Sequence, residues 1–176
     1  MQPTPPLPLL ARLDAHDRAL MTRLVIEGDR SRLGCRVWRG LTHLGGARFS
    51  AAITLALLAI VPGSTGVFFR GASTLVLSHL IVRVIKQLAV RARPTESMAF
   101  EALVAVPDEL SFPSGHACAA MSVALTFSLC FPTVAPAIIL LAFVVGASRI
   151  ALGVHYPGDV LAGQLIAVLV ELSLPI

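Results

Sequence analysis

Charge is the scarcest property of this sequence. Asp, Glu, Lys and Arg together make up 14% of 176 residues, where a soluble domain carries about 25%. Lysine is almost missing: Lys86 stands alone among 14 basic side chains, the rest being arginine. These form no stripe interleaved with aromatics, which argues against nucleic acid as a partner. The three cysteines, Cys35, Cys118 and Cys130, make no CxxC pair and no metal-ligand spacing. Two of them sit in an apolar run, where cysteine behaves as a small hydrophobe. There is no internal repeat and no low-complexity linker. The N-terminus from Met1 to Pro8 lacks the charged and apolar regions of a signal peptide. Membrane insertion is therefore expected to rely on internal segments.

Apolar residues, by contrast, are abundant. They account for 56% of the chain, and the mean hydropathy is +0.81. One soluble core of this size cannot hide that much apolar surface, so lipid is the expected solvent. The length allows one domain rather than two. The arginines cluster early: eight fall within the first 48 residues, against four acids, Asp14, Asp17, Glu27 and Asp29. With Leu10, Leu13, Leu20, Leu24 and Val25 near helical spacing, residues 1–45 are expected to form one or two amphipathic helices lying on anionic headgroups.

Beyond residue 45, apolar stretches alternate with turn residues. They run from Ala47 to Val61, Val67 to Val90, Ala117 to Phe131, Val134 to Leu152 and Val160 to Leu174. A bilayer core needs about 20 residues per helix, so the first and third are short and are expected to borrow flanking residues. The expected fold is an all-α, integral membrane helical bundle of about five transmembrane helices. Its membrane-embedded part is residues 46–176, and 1–45 precedes it as an interfacial segment.

Three polar clusters lie at the ends of these stretches. Lys86 and Arg93 are seven residues apart, close to two helical turns, and so project from nearly one face. Pro94 disfavours helix at Arg93 and puts it at the helix end. Taken alone, this pair reads better as cations snorkelling at an interface. Pro113-Ser114-Gly115-His116 opens the third stretch; Ser114 can cap that helix, and the N–H groups behind it form a natural anion site. His116 by itself reads equally as an interfacial histidine. Ser148-Arg149-x5-His155-x3-Asp159 bridges the fourth and fifth stretches. Asp159 can either orient His155 or simply cap the next helix. If every stretch crosses once, all three clusters share one membrane face. Three cations, a helix N-terminus, two histidines and a carboxylate then meet there. Phosphoryl transfer asks for this set, namely charge neutralisation, a nucleophile and a proton donor.

In order and spacing, these residues resemble the type-2 phosphatidic acid phosphatase superfamily, whose signature is K-x6-RP, PSGH and SR-x5-H-x3-D. The match runs from Lys86 to Asp159, with every signature position filled. Leu41-Thr42-His43-Leu44-Gly45 also resembles a segment found before the first span of short bacterial members. The resemblance implies that His155 attacks phosphorus and Asp159 orients it. It implies that His116 protonates the leaving group and then activates water. Lys86, Arg93, Ser114, Gly115 and Arg149 would hold the phosphate, with no metal and no cofactor.

The implied activity is hydrolysis of a lipid phosphate or diphosphate, such as undecaprenyl diphosphate, phosphatidic acid, phosphatidylglycerophosphate or a lipid A phosphate. A lipid phosphotransferase using the same phosphohistidine is the rival within enzymes. A non-catalytic membrane lipid binder is the rival outside them. The expected partners are the substrate and membrane lipids. The expected location is a bacterial inner membrane with the site facing outward, although the positive-inside rule would hold the N-terminal arginines in the cytoplasm. Of the other charges, His79 and Arg83 read as slightly more structural than functional. Arg91 reads as a headgroup contact. The loop acids Glu96, Glu101, Asp108 and Glu109 read as solvating the mouth of the site.

Overall fold

In a computed structural model that describes residues 8–26, 32–98, 102–105 and 108–175, every regular element is helical. Glu27, Asp29 and Glu101, named above, lie outside the described residues, as does the segment 1–7. Two helices come first, α1 (Pro8–Leu24) and α2 (Arg32–His43). The bundle follows as α3 (Ala47–Ile60), α4 (Thr65–Ala89), a one-turn α5 (Pro94–Ser97), α6 (Gly115–Cys130), α7 (Ala135–Ala151) and α8 (Pro157–Ser173). Each apolar stretch thus becomes one helix, ended by the turn residues that bounded it.

By length and composition two helical stretches, Thr65–Ala89 and Pro132–Ala151, can cross a membrane unaided. A third qualifies only if α2 and α3, bent by 55° at their junction, form one broken span. Helices α3 and α6 have 14 and 16 residues. Both fall short of a bilayer core unless flanking residues or local thinning make up the difference.

Helix α6 is the centre, packed against α3, α4, α7 and α8. Its inner residues are small: Ala117, Cys118, Ala119, Ala120 and Ala124 are all buried. Between helices in lipid there is little hydrophobic drive, so close approach of small residues and hydrogen bonds across the interface do the holding. A Cβ on Gly163 of α8 would overlap the Ser114 carbonyl oxygen, and one on Gly45 would come within 2.7 Å of the His116 carbonyl oxygen. Those glycines let α8 and the α2–α3 corner close on the start of α6. The Ser78 and Ser122 hydroxyls bond across α4 and α6 at 3.1 Å, and the Gln164 amide donates to the Ala142 carbonyl at 3.2 Å. Outward faces carry Leu55, Phe69, Val76, Leu140, Leu165 and Leu169, all exposed.

At the end remote from the three polar clusters, Arg70 of α4 meets Glu171 of α8 at 2.6 Å. The Thr74 hydroxyl donates to the same carboxylate at 2.5 Å. Glu171→Ala would remove the carboxylate from a partly buried guanidinium and hydroxyl, leaving Arg70 its bonds to the carbonyls of Glu171, Leu174 and Pro175 and Thr74 its bond to the Arg70 carbonyl. A loss of about 2–3 kcal/mol is expected, below the value for a fully buried pair because Arg70 keeps some water. A thermal midpoint several degrees lower in detergent, with turnover per folded molecule unchanged, would match it.

Candidate active site

Four helix ends meet on one side of the bundle: the C-termini of α4 and α7 and the N-termini of α6 and α8. A cavity of ≈ 120 Å³ there is lined by Lys86, Arg93, Gly115, His116, Arg149 and His155, together with His79, Val82, Arg83 and Asp108. Helix α4 stops at Val90, a non-glycine residue with φ 42°, and the chain then runs extended into Pro94. Alternation along that stretch puts residues two apart on one side. Arg91 and Arg93 therefore both reach the α7–α8 junction, one to Asp159 in the first turn of α8 and the other to His155 in the loop before it.

Arg93 is 1% exposed. Its guanidinium donates to the carbonyls of Asp108 and Val154 at 2.8 and 2.7 Å and lies 3.3 Å from His155 Nε2. Lys86 donates to Asp108 Oδ1 and the Leu110 carbonyl at 2.8 and 2.7 Å. Arg149 is buried and donates to Thr42 Oγ1 at 2.7 Å. Its Nε and Nη2 are buried with no partner among the described residues. Ser114 caps α6, its hydroxyl accepting from the Ala117 N–H at 3.4 Å, while its own N–H donates to the Asp159 carbonyl at 2.9 Å. That second bond ties the start of α6 to α8.

His155 is 2% exposed. Its Nδ1 lies 3.6 Å from Asp159 Oδ2, an electrostatic contact rather than a hydrogen bond. An arginine has only donors, so the nitrogen facing Arg93, Nε2, is the one free to accept. The proton then belongs on Nδ1, toward Asp159. Burial pushes the imidazole down to about 4, Arg149 and Arg93 add to that, and Asp159 opposes it. At neutral pH the ring is uncharged, with an Nε2 lone pair turned to the cavity.

Asp159 caps α8 and lies beside the histidine. Oδ2 accepts from the Tyr156 N–H at 2.8 Å and from the Ser111 hydroxyl; Oδ1 accepts from Arg91 at 2.6 Å. It is wholly buried.

Two of the sequence-based expectations need correction. Arg91 is no headgroup contact: it joins Asp159 to Asp14 at 2.8 Å and Asp17 at 2.9 Å, and lies over the Tyr156 ring at 4.1 Å. Nor is Asp108 merely a solvating acid. It bridges Lys86 and Arg93 at 2.8 and 3.0 Å. Burial alone would raise its carboxyl, yet the two cations outweigh that and hold it below the usual carboxylate range. Glu96 and Glu109 are exposed. His79 and Arg83 line the cavity itself. The Arg-x-Arg-Pro spacing carried a signal for Arg91 that a helix-based reading of the stretch passes over.

Among the described residues, no group of three His, Cys, Asp or Glu side chains is gathered as a metal site. The cavity wall carries four cations, Arg83, Lys86, Arg93 and Arg149, and one carboxylate, Asp108.

The PAP2 superfamily model matches residues 69–175. A decaprenylphosphoryl-5-phosphoribose phosphatase of Mycobacterium tuberculosis is 35% identical over 127 residues, 71% of this chain and 70% of its own. A lipid A 1-phosphatase of Rhizobium etli is 34% identical over 96 residues, 52% of this chain and 41% of its own. The transmembrane PAP2-type phosphatidylglycerolphosphate phosphatase of Bacillus subtilis superimposes with a TM-score of 0.74 at 26% identity, over 92% of this chain and 83% of its own. Aquifex aeolicus LpxE shares the fold, with a TM-score of 0.76 at 23% identity over 88% and 91%.

Proposed function

The chain belongs to the PAP2 superfamily and is an integral membrane lipid phosphatase, and from that premise we propose a phosphohistidine mechanism on His155. The observation that carries it is the single cavity shared by His155, His116, Lys86, Arg93 and Arg149. The His155 Nε2 lone pair attacks phosphorus, an N–P bond forms, and the bond to the lipid oxygen breaks. That oxygen takes a proton from the His116 imidazolium. Neutral His116 then removes a proton from water, whose oxygen displaces the His155 nitrogen and releases phosphate. Lys86, Arg93, Arg149, Ser114 and the Gly115 N–H neutralise the equatorial oxygens, which is most of what phosphoryl transfer requires. Cations fill the role that a divalent ion would otherwise take.

Five crossings, α3, α4, α6, α7 and α8, suit this arrangement, because they bring all four site-bearing helix ends to one face. Residues 1–45 form the interfacial segment. Exposed Leu20, Leu24, Leu33 and Val37 offer apolar contact to lipid, while Met21 is wholly buried and Asp17 accepts from the Gly158 N–H at 2.7 Å. The site faces outward from a bacterial inner membrane. Labelling of cysteines introduced at exposed Glu96 or Glu109 in intact cells tests that orientation. The substrate is drawn from the chemistry of the relatives: a phosphate on a prenyl, glycerophosphate or lipid A scaffold.

Phosphate release from a panel of such lipids by detergent-purified protein, with chelator present, is the direct test. Release without an added acceptor is expected; strict dependence on magnesium would overturn the mechanism.

The pH profile carries a second expectation. A histidine held at about 4 rather than 6.5 puts the His155 limb of kcat/KM near pH 4. The same depression stabilises the fold fully above the unfolded value of about 6.5, and that contribution is lost as pH falls toward 4. A His155 limb near 6.5, once substrate ionisation is subtracted, would contradict the buried, cation-flanked ring.

A further inference from the structure

A second groove, of ≈ 240 Å³, opens between the start of α3 and the middle of α4. Ala47, Leu75, Val76 and Leu80 wall it, and it shares His79 and Arg83 with the catalytic cavity. The two spaces thus adjoin, with His79 and Arg83 between them. One end is cationic, the other apolar and facing lipid, and His79 and Arg83 stand at the junction.

Arg83 differs from the other cations of that wall. Lys86 and Arg93 are held by Asp108, and Arg149 by Thr42. Arg83 is exposed and has no hydrogen bond or ion pair among the described residues. It sits three residues before Lys86, one helical turn along the same face. The charge balance points the same way. Four cations, Arg83, Lys86, Arg93 and Arg149, face one carboxylate, Asp108. A phosphomonoester dianion removes two of the three surplus positive charges of these side chains, and the proton on His116 adds to what is left; Arg83, without a partner of its own among the described residues, is the cation at the lipid-facing end.

We propose that Arg83, with His79 beside it, is a second anion subsite, and that the preferred substrate carries a second phosphate between its scissile phosphate and its tail. Resting on the phosphatase reading of the cavity, this narrows the substrate class to a lipid diphosphate, or to a phosphomonoester joined to its tail through a phosphodiester. The scissile phosphate sits among Lys86, Arg93 and Arg149, the second phosphate takes the guanidinium of Arg83, and the tail leaves along Leu75, Val76 and Leu80. Arginine suits the position because its planar fork grips phosphate oxygens in pairs.

The test pairs substrates of matched tails: prenyl diphosphate against prenyl monophosphate, and phosphatidylglycerophosphate against phosphatidic acid. Wild-type protein is expected to prefer the two-phosphate member of at least one pair, and the pair identifies which linkage is read. Arg83→Gln should cut kcat/KM for that member about tenfold or more, mainly through KM, the effect of losing a charge-assisted hydrogen bond. The monophosphate should lose several-fold less, so that the preference for the two-phosphate member falls, and Arg83→Lys should recover part of that preference. Because Arg83 is exposed, the variants are expected to fold. Equal effects on both members, or no wild-type preference in either pair, overturn the subsite while leaving the phosphatase intact. No phosphate release from any of the four by wild-type protein overturns both.

Discussion

His155→Gln is expected to lower kcat by about 10⁵-fold or more, the scale seen when a nucleophile is removed from a preorganised site. Glutamine keeps a polar group of similar reach beside Arg93 and Asp159, so the fold should survive and KM should move little. What disappears is the Nε2 lone pair. Protein quenched in alkali after mixing with phosphate-labelled lipid should carry a base-stable, acid-labile label in the wild type and none in the variant. His116→Gln should behave differently. It removes the proton donor and later the base, so turnover falls while a substrate with a good leaving group still labels His155. A phosphoenzyme that persists in His155→Gln would transfer the nucleophile elsewhere and overturn the mechanism.

The second large effect is expected at Asp159, where Asp159→Asn should cost about 10³–10⁴-fold in kcat. The reason is the tautomer. A carboxylate only accepts, so it holds the His155 proton on Nδ1 and leaves Nε2 free to attack. An amide can turn its NH₂ toward Nδ1, move the proton to Nε2 and extinguish the lone pair. It also surrenders the ion pair with Arg91, a 2.6 Å contact to a wholly buried oxygen.

On the proposed mechanism Arg91 is a positioning residue, expected to act on His155 through Asp159. Arg91→Ala should lower kcat about 10- to 100-fold with KM nearly constant, in line with the loss of an outer partner of a catalytic group. Arg91→Lys should restore part of this, since one of the three carboxylates it joins would still be paired. Asp17→Asn should give a smaller version of the same defect, with α1 more open to protease. If Arg91→Ala raised KM and spared kcat, Arg91 would instead be binding substrate.

The boundaries of the helices were legible because they are local. Pro62-Gly63 and Pro132 interrupt apolar runs, and Ser114 and Pro157 stand where helices start. The resulting helices begin and end within a few residues of the apolar stretches. The same locality made the site legible, since its signature residues sit at helix ends and a bundle of antiparallel crossings brings alternate ends together.

Arg91 and Asp108 escaped that logic. Arg91 bonds residues 77 and 68 positions away, on helices whose approach depends on α1 folding back over the α7–α8 loop. Nothing in the spacing records that approach. Asp108 looked like any loop acid until the chain's return past Ala92, bridged to Leu110, set it between Lys86 and Arg93. Helix α1 shows the same division. Its apolar periodicity announced an amphipathic helix, yet Leu20 and Leu24 face outward, and Met21 is the residue buried against the bundle. Periodicity counts apolar residues without saying which face meets protein and which meets lipid, because both are apolar partners. By itself, then, the sequence determined a membrane bundle with a phosphoryl-transfer signature at its helix ends. Only the tertiary structure decided how the histidine is held, because a hydrogen-bonded network between distant helices is created by their packing.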